Sequence, residues 1–328
     1  MVRLSLILPC YNVENYIGAC LDSLFRQDIP ISEYEVICVN DCSTDNTKQV
    51  ILDYIQKYPT IHLINHEINQ TVGGARNTGF AAAQGSYVWF VDPDDMIVDD
   101  TLRELLKRAE SNNLDIALFN FYATEEFSGN RIVTNRNYTN SKICSGCDFL
   151  QTYFDYQIDK NTIVWLQLYK RAFLLNHFIR FPEIRISEDD VFSWKAFLYA
   201  KRVESESTYI YIYRQNYSQT KRLKNTAVFL QSQCVFFPIE LLTWLQQTRL
   251  PNRFEKEVYC TARHFASILF GEYRKLEPSE KEKMYEIIRT EKRINALMPL
   301  LGKKNRLLLQ TRFLGFSLFN RLVDIFAR

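Results

Sequence analysis

The first hundred residues alternate between short apolar runs and amphipathic stretches, and that alternation leaves few architectures open. Leu4 to Leu8 is a mostly apolar run, and the stretch that follows over 14–25 repeats Ile17, Cys20, Leu21, Leu24 and Phe25 on one helical face. A second run at 35–39 precedes a helical pattern at 47–58 with Val50, Ile51 and Tyr54 inward. A run at 61–64, a small-residue helix at 74–83, a run at 86–91, a helix at 101–110 and a run at 115–121 continue the series. Thr101 and Glu104 have the spacing of a capping box. Strands alternating with helices predict an α/β fold built on a mostly parallel, doubly wound sheet. Ligands of such sheets sit beyond the carboxyl ends of the strands.

That rule gathers scattered polar residues into one candidate site. The first strand ends in Pro9-Cys10-Tyr11-Asn12 and the second in Asn40-Asp41-Cys42-Ser43-Thr44-Asp45. A polar loop from Asn69 to Asn77 opens the third helix, and the run 86–91 ends in Asp92-Pro93-Asp94-Asp95. Three carboxylates at the end of a buried strand repel one another and need a partner. The usual partner for clustered hard oxygens is Mg²⁺ or Mn²⁺. The plain alternative is a solvated acidic turn, since Asp and Pro are ordinary turn residues. Ser43 and Thr44 have a plain alternative too, as helix caps. Neither a Walker-type phosphate loop nor a GxGxxG after the first strand is present.

Composition excludes several classes. At 328 residues with net charge +2, the chain has no global basic or acidic bias that would imply nucleic acid as partner. No internal repeat is visible. Of the eight cysteines, Cys10, Cys20 and Cys38 lie in apolar patterns as small hydrophobes. Cys144 and Cys147 form a lone CxxC without a second ligand pair, which argues against structural zinc. The chain starts directly in a strand, with no signal-type segment and no apolar stretch long enough for a bilayer, so a reducing, cytoplasmic location is expected.

Four segments, taken in order, carry a resemblance: LSLILPCYNVENYIGACLDSLFRQ (4–27), YEVICVNDCSTDNT (34–47), NQTVGGARNTGFAAAQGSYVWFVDPDD (69–95) and RISEDDVFSWKAF (185–197). Over roughly residues 3–220 the chain resembles a family 2 glycosyltransferase of the bacterial polysaccharide type, with the Rossmann-like GT-A fold. The resemblance implies an inverting enzyme that moves a hexosyl or N-acetylhexosaminyl group from a nucleotide donor, UDP in the first instance, to a glycan or lipid-linked glycan. It implies Mn²⁺ or Mg²⁺ as cofactor, with Asp92 and Asp94 as the DxD pair and Asp94 in direct contact with the metal. Asp41 takes the position that hydrogen-bonds uracil. Pro9, Tyr11 and Glu14 lie where the first loop cradles base and ribose, and Arg76 where phosphate or ribose is met. Glu188 and Asp189 match the ED motif whose Asp is the general base; the plain alternative is an acidic helix start that suits the helix dipole. Trp165 and Arg214 are candidates on the acceptor or diphosphate side; core packing and a surface cation are their alternatives. Asn40 and Cys42 depart from the family, which often has Asp and Gly there.

These residue types suit the chemistry. A cation stabilises a departing diphosphate, and a positioned carboxylate takes the proton of a weakly nucleophilic hydroxyl. Two readings of other kinds stay open on sequence alone: an inactive glycan-binding module and a nucleotidyltransferase on a related α/β sheet. The expected organisation is a catalytic domain over 1–224, with a nucleotide-sugar half to about 120 and an acceptor half over 121–224. A helical extension follows over 225–328, with helices near 229–245, 254–270 and 281–294. From Lys303 to Arg328 six basic residues face one acidic, Asp324, in a basic amphipathic helical pattern. Such a helix suits a membrane interface at the inner face of the membrane, or packing on the catalytic domain or a second subunit. Oligomeric state is not legible.

Overall fold

The computed structural model describes residues 1–124, 130–133, 138–154, 163–184, 187–214, 227–247 and 252–326. The expected boundary near residue 224 lies outside these, as do Arg185 and Ile186 of the fourth segment and Arg328 at the end of the basic pattern. The chain forms two compact units. Of the described residues, the first takes 1–154, 163–183 and 192–214, and the second takes 184, 187–191 and 227–326.

The first unit is built on strands β1 (Leu4–Cys10), β2 (Tyr34–Asn40), β3 (Ile61–Asn65), β4 (Tyr87–Phe90), β5 (Met96–Ile97), β6 (Ile116–Thr124), β7 (Arg131–Val133), β8 (Gln167–Lys170) and β9 (Val203–Arg214). They share one sheet in the order β3-β2-β1-β4-β8-β6-β9-β5, with β7 on β6. The β3-β2-β1-β4 half is parallel, as the alternation predicts. The other half is mixed, because β8 runs antiparallel to both β4 and β6 while β9 runs parallel to β6. β6 runs through residue 120, so the expected split into two halves there is not a boundary of the sheet.

Around the sheet lie α1 (Ile17–Phe25), α2 (Thr47–Lys57), α3 (Thr71–Ala82), α4 (Leu102–Ser111), α5 (Gly146–Phe154), α6 (Arg171–Asn176) and α7 (Glu188–Tyr199). Every residue of β1 and β2 is buried, the signature of parallel strands covered on both faces. The polar exceptions are satisfied: Ser5 Oγ donates to Glu35 Oε1 at 2.6 Å, and the Gln84 N–H donates to the same oxygen at 2.7 Å. α3 packs hard on β1 at Gly79, where a Cβ would collide with the Ile7 γ2 methyl and come within 3.3 Å of a Val39 methyl. α4 starts at Leu102, but its capping box does not form. The Thr101 hydroxyl donates to Val98 O at 2.8 Å, and no side chain caps the helix.

The second unit is helical: α8 (Ala227–Leu230), a π-helical turn Gln231–Phe236, α9 (Phe237–Gln247), α10 (Asn252–Arg274), α11 (Pro278–Thr290), a 3₁₀ segment Lys292–Leu300, α12 (Lys303–Gln310) and α13 (Phe316–Phe326). It also takes in residues 187–191, the start of α7, which the sequence reading assigns to the catalytic domain. The expected single helix from Lys303 onward is two. A 3₁₀ turn, Thr311–Phe313, ends the first, and Gly315 at φ 89° breaks the chain before the second. Arg312, in the turn between them, leaves the expected basic surface: it is buried, donating to Leu309 O at 2.7 Å and to Asn295 Oδ1 at 2.8 Å. Among the described residues no helix is long and apolar enough to cross a membrane.

Candidate functional site

The carboxyl ends of β1 and β2 are tied to each other by side chains. Thr44 N–H donates to Asn12 Oδ1 at 2.8 Å, Asn46 N–H to Glu14 Oε2 at 2.8 Å, and Glu14 N–H to Asp45 Oδ2 at 3.0 Å. Glu14 thus serves the loop itself. Pro9 lies within β1 and is buried, whereas Tyr11 is 48% exposed beyond the strand end. Asn12 and Cys42 hold left-handed backbone at φ 53° and 62°, and Thr71 at the start of α3 does so at φ 70°. Left-handed backbone is strained for residues other than glycine, most of all for β-branched Thr. The value at Cys42 gives a physical reason for glycine at this position in the resembled family.

Asp41 follows β2 and is buried. Its Oδ1 lies 2.7 Å from His66 Nδ1 and accepts the Gln70 N–H at 2.8 Å. His66 Nε2 lies 3.0 Å from Thr78 Oγ1 on α3. The main chain is fixed as well: Asp41 N–H donates to Cys10 O at 2.8 Å, and Asn69 Nδ2 donates to Asp41 O at 3.1 Å. Sequence reading missed His66; its signal was position, at the end of the third strand beside the polar loop. Neighbouring Asn40 is turned inward, donating to Asn65 Oδ1 at 3.0 Å and accepting the Ser43 N–H at 3.2 Å.

The acidic turn after β4 forms a second cluster. Oxygens of Asp92, Asp94 and Asp95 all lie within 4.8 Å of one another. Asp95 is the structural member: it is buried, accepts from the Tyr211 hydroxyl at 2.7 Å and from the Arg214 N–H at 2.8 Å. Tyr211 in turn accepts the Asp92 N–H at 3.2 Å. Arg76 on α3 donates to Asp92 Oδ1 at 2.8 Å. Arg214 braces the turn from β9: its Nε donates to Asp94 O, another guanidinium nitrogen donates to Tyr16 O at 3.0 Å, and it lies 5.3 Å over the Tyr16 ring. Burial, then the charge of Asp92, push Asp94 up to about 6 against the pull of Arg214 and Arg76. Burial and the charges of Asp94 and Asp92 raise Asp95 well above the carboxylate range. The donor set is hard oxygen throughout, which fits Mn²⁺ or Mg²⁺.

Trp165 lies in the core, the alternative that the sequence reading kept for it. It is 7% exposed, stacks on Tyr211 at 4.3 Å and Tyr213 at 5.6 Å, and meets Phe121 edge-on at 5.0 Å. Its carbonyl accepts from Trp89 Nε1 at 2.8 Å. The structure therefore brings Arg76, Asp92, Asp94 and Arg214 together, and separately brings Asp41 to His66, Gln70 and Asn69. Glu188 and Asp189 belong to the second unit. There Ser187, at φ 65°, accepts from Gln233 of the π-helical turn, Glu188 is buried, and Asp189 is half-buried with its Oδ1 accepting the Asp190 N–H at 3.0 Å. Three carboxylates in the first turn of α7 also suit the helix dipole.

The family model "Glycosyl transferase family 2" matches residues 5–178. The glycosyltransferase EpsJ of Bacillus subtilis (strain 168) is 35% identical over 222 residues, which make up 65% of this chain and 61% of that protein. Poly(ribitol-phosphate) beta-N-acetylglucosaminyltransferase TarS of Staphylococcus aureus (strain Mu50 / ATCC 700699) is 32% identical over 221 residues, 65% of this chain and 35% of that protein. The chain thus spans less than two thirds of the length of either relative. The crystal structure of S. aureus TarS 1–349 in complex with UDP-GlcNAc superposes with a TM-score of 0.66 at 24% identity, over 99% of this chain and 91% of that one.

Proposed function

The chain belongs to glycosyl transferase family 2, and from that premise we propose that it moves a hexosyl or N-acetylhexosaminyl group from a UDP donor to a hydroxyl of a glycan or lipid-linked glycan, with inversion. The observation that carries the reading is the convergence of Asp92, Asp94 and Asp95 at the end of a parallel strand, held by Arg76 and Arg214. The relative named for N-acetylglucosamine transfer and the neighbour named with UDP-GlcNAc support the donor class.

In this reading Asp41 accepts from the uracil N3–H, and Tyr11 and the Glu14 loop border base and ribose. Asp94 and Asp92 would hold Mn²⁺ or Mg²⁺, which when bound neutralises charge on the diphosphate. Arg76 fixes the Asp92 oxygen, and Arg214 fixes the main chain of the turn rather than reaching for phosphate. Asp189 takes the proton from the acceptor hydroxyl. The acceptor oxygen bonds to the anomeric carbon from the face opposite the diphosphate, whose bond to that carbon breaks, so the configuration inverts. Asp189 is preferred over Glu188 because it is the less buried of the two. A panel of UDP- and GDP-sugars, with and without Mn²⁺, tests the function by thermal shift and donor hydrolysis. UDP-sugars should stabilise the protein and be hydrolysed slowly only with the cation. Indifference to every nucleotide sugar would overturn the reading.

The same enzyme, in our reading, works against an anionic membrane surface through α12 and α13. Packing accounts for Leu308, Leu309, Phe319 and Val323, which are buried. It leaves Leu307, Phe313, Leu314, Leu318, Ile325 and Phe326 exposed, beside exposed Lys303, Lys304, Arg306 and Arg321. The one acidic residue, Asp324, is offset by Lys281 at 4.0 Å. Apolar area among basic groups suits the headgroup region of anionic lipid. Sedimentation with phosphatidylserine vesicles at low salt should carry the wild type down and leave the Phe313→Ser/Leu318→Ser/Ile325→Ser variant in solution. A wild type that stays in solution would refute this surface.

A further inference from the structure

The carboxylate of Asp41 has two unlike edges. Oδ1 meets two donors, the Gln70 N–H at 2.8 Å and the His66 ring nitrogen at 2.7 Å. Oδ2 bonds to no group among the described residues. The Gln70 N–H has no role but donor. His66 is itself held, since the Thr78 hydroxyl lies 3.0 Å from Nε2. A carboxylate only accepts, so in the neutral ring Nδ1 carries the hydrogen and Nε2 accepts from Thr78. Both Asp41 and His66 side chains are nearly sealed from solvent, at 3% and 6% exposure. Rotation of the carboxylate would trade one oxygen for its equal, and nothing would change. In an amide the two ends differ, and the same pocket would then choose between them.

We propose that His66 and the Gln70 N–H form an orienting clamp that fixes which edge of residue 41 faces the base, making His66 a positioning residue for pyrimidine selection. The inference rests on the reading of Asp41 as the base-reading group. Uracil offers a hydrogen on N3; cytosine offers a lone pair there. With Asp41 in place, Oδ2 accepts from uracil and repels cytosine. With Asp41→Asn, the amide oxygen takes the clamp, because turning the NH₂ toward it sets donor against the Gln70 N–H and forces His66 into the tautomer that accepts at Nδ1 and donates to Thr78. The NH₂ is then forced into the place of Oδ2, where it suits the cytosine lone pair. The substitution should therefore invert the preference rather than erase it. His66→Leu removes one donor of the clamp, lowers the cost of flipping the amide, and should blunt that inversion.

The test is calorimetry of UDP and CDP, with Mn²⁺ throughout, on the full chain as wild type, Asp41→Asn, His66→Leu and the double variant. The wild type should favour UDP by at least about tenfold, and Asp41→Asn should favour CDP by a similar ratio, the usual reach of one hydrogen bond. The double variant should lose most of that inversion. Thr78→Val, which loosens the imidazole without removing it, should shift the Asp41→Asn ratio in the same direction by a smaller factor, and it serves if His66→Leu does not fold. Asp41→Asn that loses UDP and gains no CDP would overturn the clamp, as would an inversion unmoved by both His66→Leu and Thr78→Val. A wild type that binds neither nucleotide would instead sink the nucleotide reading itself, and the clamp with it.

Discussion

Asp41 and Asp94 both stand beyond the carboxyl end of a parallel strand, and they are held in opposite ways. Asp41 is surrounded by donors: His66, the Gln70 N–H and, on its carbonyl, Asn69. Its Oδ1 edge is satisfied within the protein. Asp94 shares its turn with two other carboxylates and is pushed up to about 6 by burial and by Asp92. Its arrangement calls for a counter-charge from outside. In the proposed reading, one end of the site is preorganised to recognise and the other would bind a cation, a division of labour that suits a ligand with a neutral ring at one end and a diphosphate at the other.

The comparison can be sharpened first with a carboxylate outside both clusters. Asp189→Asn should leave UDP affinity unchanged while transfer falls by about two orders of magnitude or more, the scale of general-base loss. Transfer at the wild-type rate would mean that Asp189 merely opens a helix. Next, Asp94→Ala should weaken UDP binding in Mn²⁺ by about a hundredfold, by analogy with lost metal-site support, while uridine binding stays put. Equal losses for uridine and UDP would erase the distinction between the clusters. Asp41→Ala should do the converse, weakening uridine and UDP alike by about tenfold with or without metal, the reach of a hydrogen bond to a charged group; a loss confined to UDP would break the comparison.

The smallest effect concerns pH. A carboxyl raised from 3.8 to about 6 holds its proton more tightly folded than unfolded, so its contribution to stability is present below about pH 4 and disappears as pH rises through 6. Without metal, the melting temperature of wild type relative to Asp94→Asn should therefore fall between pH 4 and 7. The stabilisation by Mn²⁺ should be slight at pH 5 and grow above 6. A wild-type-minus-variant difference that stays flat over this range would contradict the charge accumulation at Asp94.

The parallel half of the sheet was legible because each strand and its following helix announce themselves locally, and the polar strand ends lie next to them in sequence. What was not legible depends on pairings across long stretches of chain. Tyr211 reaches Asp95 across 116 residues, and His66 reaches Asp41 across 25. Neither partner carries a local mark of its role. Trp165 illustrates the converse: an aromatic beside a candidate motif looks available until β9 supplies Tyr211 and Tyr213 to cover it. Thr101 fits a capping pattern, but its hydroxyl is turned to Val98 O and makes no cap to the helix. In the carboxy-terminal stretch a continuous amphipathic pattern hid the left-handed Gly315 that divides it.

Three successive residues on α3 point to three different anchors. Arg76 holds Asp92, Asn77 exchanges hydrogen bonds with the main chain of Phe181 at 2.9 and 3.0 Å, and Thr78 steadies His66. The next residue, Gly79, sets how closely that helix lies on β1. One turn of helix is therefore a shared gauge for both ends of the site. In the proposed reading, a displacement of α3 cannot retune base reading without also moving the arginine that steadies the acidic turn. Variation in donor choice is accordingly cheapest in side chains that line the loops, such as the residue at 41, and dearest in anything that alters the seat of the helix.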